Sequence, residues 1–374
     1  MKFEVSSSKL FAQLQALSRV IVPKQALPIM ENILFDLHEN VLTLTASDSE
    51  VTIRTSIIVD AFEGEGKVAF DGKLLVETLK AFSEQPLTFN IDDRNFKLII
   101  TSANGNYSFV GMNGNEYPEI QNLEEGARQF NMAAGTLLEG ISKTIFCTAD
   151  DELRPVMNGI NIDLQEDRLT LVATDAHRLV RFTDTTVKTA EPTNIILPKK
   201  PANLLKNVLT KEDNEVDIHF DSKTIRFAFG STLMVCRQIE GRFPNYNAVI
   251  PQNNQNKVIA DRQTLINACK RVAVFSSPST GLIRLGLSED QIRISAQDID
   301  FSTSAEETLS CSYNGMPMAI GFKAPFLIEL LGAIDSQEVM IELADPARAG
   351  LILPTENDDT KETLMLLMPM LLNE

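Results

Sequence analysis

The chain can be laid on itself. The stretch Ile33, Phe35, Leu37, Leu42, Leu44, Ala46, Asp48 recurs 127 residues later as Ile160, Ile162, Leu164, Leu169, Leu171, Ala173, Asp175. A further 123 residues on it recurs as Ile283, Leu285, Leu287, Ile292, Ile294, Ala296, Asp298. Apolar residues at every second position, split by a polar turn, read as a β-hairpin with one buried face. The same offsets carry Lys73 to Lys200 to Lys323, and a shift of 129 carries Leu87, Phe89, Ile91, Phe96, Leu98, Ile100 onto Val216, Ile218, Phe220, Ile225, Phe227, Phe229. Val339, Ile341 and Leu343 follow in the third copy, and Tyr117-Pro118, Phe243-Pro244 and Met368-Pro369 stand near the three ends. One hairpin could arise by chance; register kept through whole copies could not. The chain is a threefold repeat of a unit of about 125 residues.

Each copy shows two helical stretches. Leu10, Leu14, Leu17, Ile21, then Leu137, Ile141, Ile145, then Leu265, Cys269, Val272 recur at three- and four-residue spacing, with Ser8, Thr136 and Thr264 as start signals. Second helices are expected at Lys73 to Phe82, Pro201 to Leu209 and Pro325 to Ile334, two of them with proline in the first turn. The fold class is therefore α+β, with two helices on a mostly antiparallel sheet in every unit, in the order helix, strands, helix, strands. The units are expected at 1–125, 126–251 and 252–374, with boundaries at Glu124-Glu125-Gly126 and in the polar stretch Pro251 to Asn256.

The net charge of −17 argues on its own against nucleic acid as a partner. The charges are not spread evenly. The helical segments 8–20, 71–82, 135–147, 198–211, 261–275 and 322–334 hold 13 Lys or Arg and 5 Asp or Glu, whereas the remaining 294 residues hold 21 basic and 46 acidic. Local potential governs attraction as much as net charge does, so a cationic helix face can bind phosphates while the outside repels them. Solvated surface lysines are the plainer reading of the same count. No run of 18 apolar residues and no charged-then-apolar leader is present, which predicts a chain neither membrane-spanning nor secreted. Cys147, Cys236, Cys269 and Cys311 lie far apart without CxxC spacing, which suggests reduced thiols in a cytoplasm, not a disulfide frame or zinc site.

Catalysis is not indicated. The sequence has no G-x-S-x-G, H-E-x-x-H, Walker or G-x-G-x-x-G signature, and its three histidines, His38, His177 and His219, are too scattered to hold a metal. Asp175 beside His177 invites a triad reading, but Asp48 and Asp298 stand at the same turn in the other copies, which favours a structural aspartate. No cofactor is expected. A triplicated peptide-binding scaffold is the closer rival, and it would need no basic helices.

Three units of this size and order resemble the bacterial DNA sliding clamp, the β subunit of DNA polymerase III. The resemblance covers the whole chain. It rests on Met1-Lys2-Phe3, Leu27-Pro28-Ile29, Ala173-Thr174-Asp175-Ala176-His177-Arg178-Leu179, Gly241-Arg242-Phe243-Pro244-Asn245-Tyr246 and Met368-Pro369-Met370, in order. It implies three DNA-clamp units forming half of a six-unit ring. Such a homodimer encircles double-stranded DNA, slides without reading bases, and gives polymerase its processivity.

By position, the resemblance makes Lys24, Lys73, Arg154, Lys199 and Lys200 the DNA-facing cations, although Lys24 and Lys73 also suit ordinary surface lysines. It implies a groove between units two and three where the replicative polymerase, the clamp loader and repair factors dock short apolar motifs. Met157, Thr174, His177, Arg178, Leu179, Pro244, Val249, Leu366, Met368, Pro369 and Met370 match its lining, with His177 and Arg178 as polar edges. Leu364 to Leu372 also reads as a plain core strand. Methionine gives such a surface deformability toward several partners. The chain departs from the family pattern at Ala176, where glycine is usual, at Ala248, where a relative has arginine, and in the tail Leu371-Leu372-Asn373-Glu374. The joint between two chains is implied at Tyr107 and Phe109 of one and Val274 and Phe275 of the other, residues that could equally pack within one chain. Asp298, Asp300, Glu306 and Glu307 are placed to meet Lys73 or Lys97 across it.

Overall fold

A computed structural model describes residues 1–209, 215–356 and 358–372. Asn373 and Glu374 of the C-terminal tail, and the end of the expected helical segment 198–211, lie outside the described residues. Six α-helices occur among the described residues: α1 Ser7–Leu17, α2 Gly72–Lys80, α3 Ala134–Thr144, α4 Lys199–Leu209, α5 Arg262–Ala273 and α6 Ala324–Gly332. All six fall where the apolar periodicity puts them, and those other than α4 are each a few residues shorter than their segments. Arg19 lies beyond the end of α1.

The start signals differ from expectation. The caps are Ser6, Asp71 and Asp261, whose side chains accept from the amides of Lys9, Leu74 and Thr264. A short strand precedes the first helix of each copy: Lys2–Ser6, Arg128–Ala133 and Asn256–Asp261. The copies thus open on a strand, not on a helix. In copies one and three that strand ends at a side chain able to satisfy the free amides of a helix start, which is why the helix begins there.

The chain divides into two compact units that do not follow the copies: Met1–Leu138 with Lys200–Gln238, and Glu139–Lys199 with Ile239–Glu374. The sheets explain the division. In the first unit, strand Val51–Ile58 of copy one pairs antiparallel with Thr232–Arg237 of copy two inside a nine-stranded sheet. In the second, Arg178–Asp184 of copy two pairs antiparallel with Lys361–Leu367 of copy three, again inside a nine-stranded sheet. A five-stranded sheet ending on Asn106–Val110 completes the first unit, and a four-stranded sheet ending on Thr303–Ser310 completes the second.

The repeated hairpins bury the residues the alternation selects: Ile33, Phe35, Leu37, Leu42 and Leu44 are buried in copy one, and Ile283, Leu285, Leu287, Ile292 and Ile294 in copy three. Helices α5 and α6 supply Leu265, Cys269, Val272, Leu327 and Leu330 to one core cluster, which includes Ala173, Val180, Met365 and Leu367 from the sheet. Strand Leu169–Thr174 is buried at every position. A strand covered on both faces reads as a continuous apolar run, and a second cluster does cover its other face.

Candidate functional site: a groove, a basic helix set and two open strand edges

The turn Thr174–Arg178 stands at the head of the expected groove. Asp175 Oδ1 accepts from the amides of His177 and Arg178, both at 2.9 Å, and Thr174 Oγ1 donates to the Arg178 carbonyl at 2.7 Å. Asp48 does the same for Glu50 and Val51 at 2.8 and 2.7 Å, and Asp298 for Asp300 and Phe301 at 3.0 and 3.3 Å. The triplicated aspartates are turn-formers. Ala176 sits in this turn at φ +74°, a left-handed conformation that disfavours a Cβ. Ala176→Gly is therefore expected to stabilise the chain by about 0.5–1 kcal/mol, read as a higher denaturant midpoint; an unchanged or lower midpoint would contradict the strain.

From the turn the strands set a row. Thr174 lies opposite Leu179, Leu179 opposite Leu366, and Leu366 opposite Leu351, so these four share one face. Leu364 and Met368 extend that face at the two-residue period. Val172, Leu179, Leu364 and Leu366 form a buried cluster there with Phe243 and Ile250, against which Val156 and Tyr246 pack. Around it stand half-buried Met157 and Pro244 and the exposed side chains of Val249 (57 %) and Met368 (42 %). The result is an apolar floor with an accessible apolar rim.

After Leu367 the chain crosses onto the four-stranded sheet. The Met368 amide donates to the His177 carbonyl and the Met370 amide to the Gly321 carbonyl, both at 2.8 Å. Gly321 makes the crossing possible, because a Cβ there would lie 2.8 Å from the Met370 carbonyl oxygen. Pro369 and Met370 are half-buried in this crossing, so Leu364–Leu367 is a core strand and the residues after it are not.

Arg178 is placed differently from expectation. It lies opposite Leu367, on the helix side of the sheet. Its guanidinium donates to Asp175 Oδ2 at 3.1 Å, to the Phe146 carbonyl at 2.9 Å and to Glu329 of α6, and stands 4.3 Å from the centre of the Phe326 ring. Arg178 braces its turn from the helix side of the sheet. His177, exposed and stacked on Phe326 at 6.2 Å, is the one of the pair that reaches the surface.

The cations fall into two kinds. Lys73, on the first turn of α2, and Lys24 are exposed, and the Lys24 amide is held by Glu31 at 2.9 Å. Arg154 is bound to Asp151 at 2.8 Å, Lys199 to Asp150 at 2.6 Å, and Lys200 to the buried Asp48. The α4 lysines therefore also anchor loops of their own chain, a role the charge count could not reveal.

The two outer strands are open edges. Tyr107 is 39 % exposed, with its ring edge-on to Phe82 at 5.2 Å, and Phe109 is half-buried. Val274 and Phe275 at the end of α5 are exposed. Glu307 receives a bidentate pair of hydrogen bonds from Arg271 at 2.7 Å, which holds its carboxyl below the usual range, and Glu306 is paired with Arg293 at 3.5 Å. Reading the residues in isolation missed Ile299 and Phe301, both exposed, in the turn before Thr303–Ser310. The offset of 123 from Ala176 and Arg178 points straight to them. Burial pushes the Cys147 thiol up and that of Cys269 up to about 12, leaving both inert.

A repeat-built binding protein is the class these features define. The sequence matches the DNA polymerase III beta subunit in three consecutive parts: the N-terminal domain over residues 1–121, the central domain over 131–245 and the C-terminal domain over 247–370. The beta sliding clamp of Pseudomonas aeruginosa is 28 % identical over 366 residues, spanning 98 % of this chain and 99 % of that one. That of Staphylococcus aureus is 25 % identical over 374 residues, spanning 98 % of each. A crystal structure of the Pseudomonas aeruginosa sliding clamp bound to griselimycin superposes over the whole of both chains with a TM-score of 0.93 at 28 % identity. The chain belongs to the DNA polymerase III beta subunit family.

Proposed function

We propose that the chain is a polymerase processivity factor: a homodimeric ring that encircles duplex DNA, slides along it, and tethers polymerase, clamp loader and repair factors through the apolar groove. The observation that carries the groove is the Thr174–Leu179–Leu366 row, whose apolar floor is completed by exposed Val249 and Met368. Met157, His177, Pro244, Pro369 and Met370 complete its surroundings, and Arg178 fixes its turn. A cytoplasmic location fits this role and the four free cysteines; no helix among the described residues is long and apolar enough to cross a membrane. The repeats 1–125, 126–251 and 252–374 are the building units.

The joint follows from the repeat. Copy one meets copy two through Thr52 opposite Val235, and copy two meets copy three through Leu179 opposite Leu366. Carrying the same step from copy three to copy one of a second chain, with the two-residue longer turn before Thr303–Ser310 allowed for, places Ser304 opposite Val110, Glu306 opposite Ser108 and Glu307 opposite Tyr107. Two open edges, one at each end of the chain, are then both paired, which removes an aggregation hazard. Head-to-tail contacts of this kind close into a ring when the rotation closes. Val274 and Phe275 supply apolar flanks, while Glu306 and Glu307 are already paired within their own chain and act less as partners for Lys73 or Lys97 than their sequence positions imply.

DNA binding is electrostatic and free of base readout. Lys200 is a poor probe of it, since reversing its charge would set a second carboxylate against buried Asp48. Lys24→Glu with Lys73→Glu is the cleaner variant. It is expected to leave peptide binding intact and to flatten the dependence of DNA affinity on salt, by a slope of about 0.9 for each phosphate no longer neutralised. An unchanged slope would mean that neither lysine faces DNA.

A further inference from the structure

The repeat that builds the groove also builds a second cleft one step earlier in the chain. Adding 127 carries Met30, Ser47, Asp48, Glu50, Val51 and Thr52 onto Met157, Thr174, Asp175, His177, Arg178 and Leu179. The backbone repeats as well: the Arg237 amide donates to the Glu50 carbonyl at 3.0 Å, as the Met368 amide does to His177 at 2.8 Å. Tyr117-Pro118 stands where Phe243-Pro244 stands in the later copy. A cavity opens at the matching place, lined among others by Leu27, Met30, Thr52, Pro118, Val235 and Arg237, all within the first compact unit.

Its chemistry is altered in a consistent direction. Thr52 replaces Leu179 and Val235 replaces Leu366, so the floor is shallower and carries a hydroxyl. Leu27, 51 % exposed, leaves one apolar wall. The rim is acidic. Lys200 neutralises Asp48, but the exposed Glu50 and Glu119 face a single exposed cation, Arg237, and none of these three side chains takes part in an ion pair among the described residues. Apolar motifs with large side chains fit such a cleft poorly, whereas a small apolar residue flanked by cations complements both floor and rim.

We propose that this cleft is a second docking site, which takes a short extended peptide carrying one small apolar side chain between lysines or arginines. The proposal rests on the reading of the later groove as a peptide site, from which its geometry is copied. Two partners could then be held at once, one apolar and one basic.

The test uses the full chain as the dimer and two labelled peptides, Ala-Lys-Val-Lys-Ala and Ala-Glu-Val-Glu-Ala, followed by fluorescence anisotropy at low salt. Saturable binding of the basic peptide is expected, with the acidic peptide weaker by about ten-fold or more. Glu50→Lys with Glu119→Lys should invert that preference. Val249→Glu with Met368→Glu, which spoils the later groove, should leave it unchanged. Charge reversal at Glu166 and Asp167, in the other compact unit, is the control for attraction to the acidic surface at large. Equal weakening by this control, loss on spoiling the later groove, or no saturable binding at all would overturn the second site. A two-leucine peptide added to the same series reports on the later groove separately. Its binding in the absence of basic-peptide binding would sink only the second site, and failure of both would remove the parent reading too.

Discussion

Oxidation of a Val110→Cys, Ser304→Cys variant is expected to convert most of the protein into a covalent dimer on a non-reducing gel. Val110 and Ser304 are both exposed, so the substitutions leave the folds of the two strands intact. The register carried over from Thr52 opposite Val235 and Leu179 opposite Leu366 sets them directly across from one another in the joint. Directly opposed residues on antiparallel strands have Cβ atoms about 4.5–5.5 Å apart, and a disulfide needs about 3.5–4.5 Å, a gap that small strand shifts close. Existing pairs agree on the proximity: Thr55 and Thr232, which occupy the positions of Glu307 and Tyr107, have their hydroxyls 3.4 Å apart. The control is Val110→Cys with Thr303→Cys. One residue of slip turns the side chain to the other face, so this pair should stay monomeric under oxidation. Oxidised after loading, the first variant should be retained on a closed DNA circle and released when the circle is cut. Crosslinking of the slipped pair instead, or escape of the covalent dimer from intact circles, would refute the register or the encirclement respectively.

Much of this was legible in the sequence because the repeat is a local signal copied three times. The hairpin alternation, the helix periodicity and the turn aspartates each depend on residues within about ten positions, and self-comparison separates them from chance. What could not be read was pairing between copies. Nothing in Val51–Ile58 announces Thr232–Arg237 as its neighbour, since their pairing spans most of two copies and depends on burial, not on a motif. The short leading strands escaped for the opposite reason: five or six residues such as Lys2–Ser6 are too few for alternation to stand out before a strong helix pattern.

The same distinction runs through the site residues. Leu179 and Leu366 are singled out by motif position, and the strand register sets them opposite one another on one face. The direction of Arg178 was not identifiable, because it is decided by Glu329, Phe146 and Phe326, which lie far away in sequence. Likewise a count of lysines on helices treats Lys73 and Lys200 alike. Only the folded chain shows that the first is exposed and the second is held by Asp48.

The groove itself gives the second large effect. Val249→Glu with Met368→Glu is expected to reduce the affinity of a labelled peptide bearing two leucines at alternate positions by about 100-fold or more. Each apolar side chain removed from the rim forfeits about 1.5–3 kcal/mol when peptide would have covered it fully, and two such losses reach that factor even with incomplete additivity. Each new carboxylate would also lose water on peptide binding without gaining a partner, which adds to the loss. Stability should hardly change, because both side chains are already exposed in the unbound chain and the buried floor of Leu179, Leu364 and Leu366 is untouched. The mass of the dimer in solution should also be unchanged, since neither residue lies on the two open edges. The three readouts separate the explanations. A lower melting temperature together with lost binding would mean the rim supports the fold, and a fall to monomer would tie the groove to the joint. Full peptide affinity in a stable dimer would place the docking surface elsewhere on the chain.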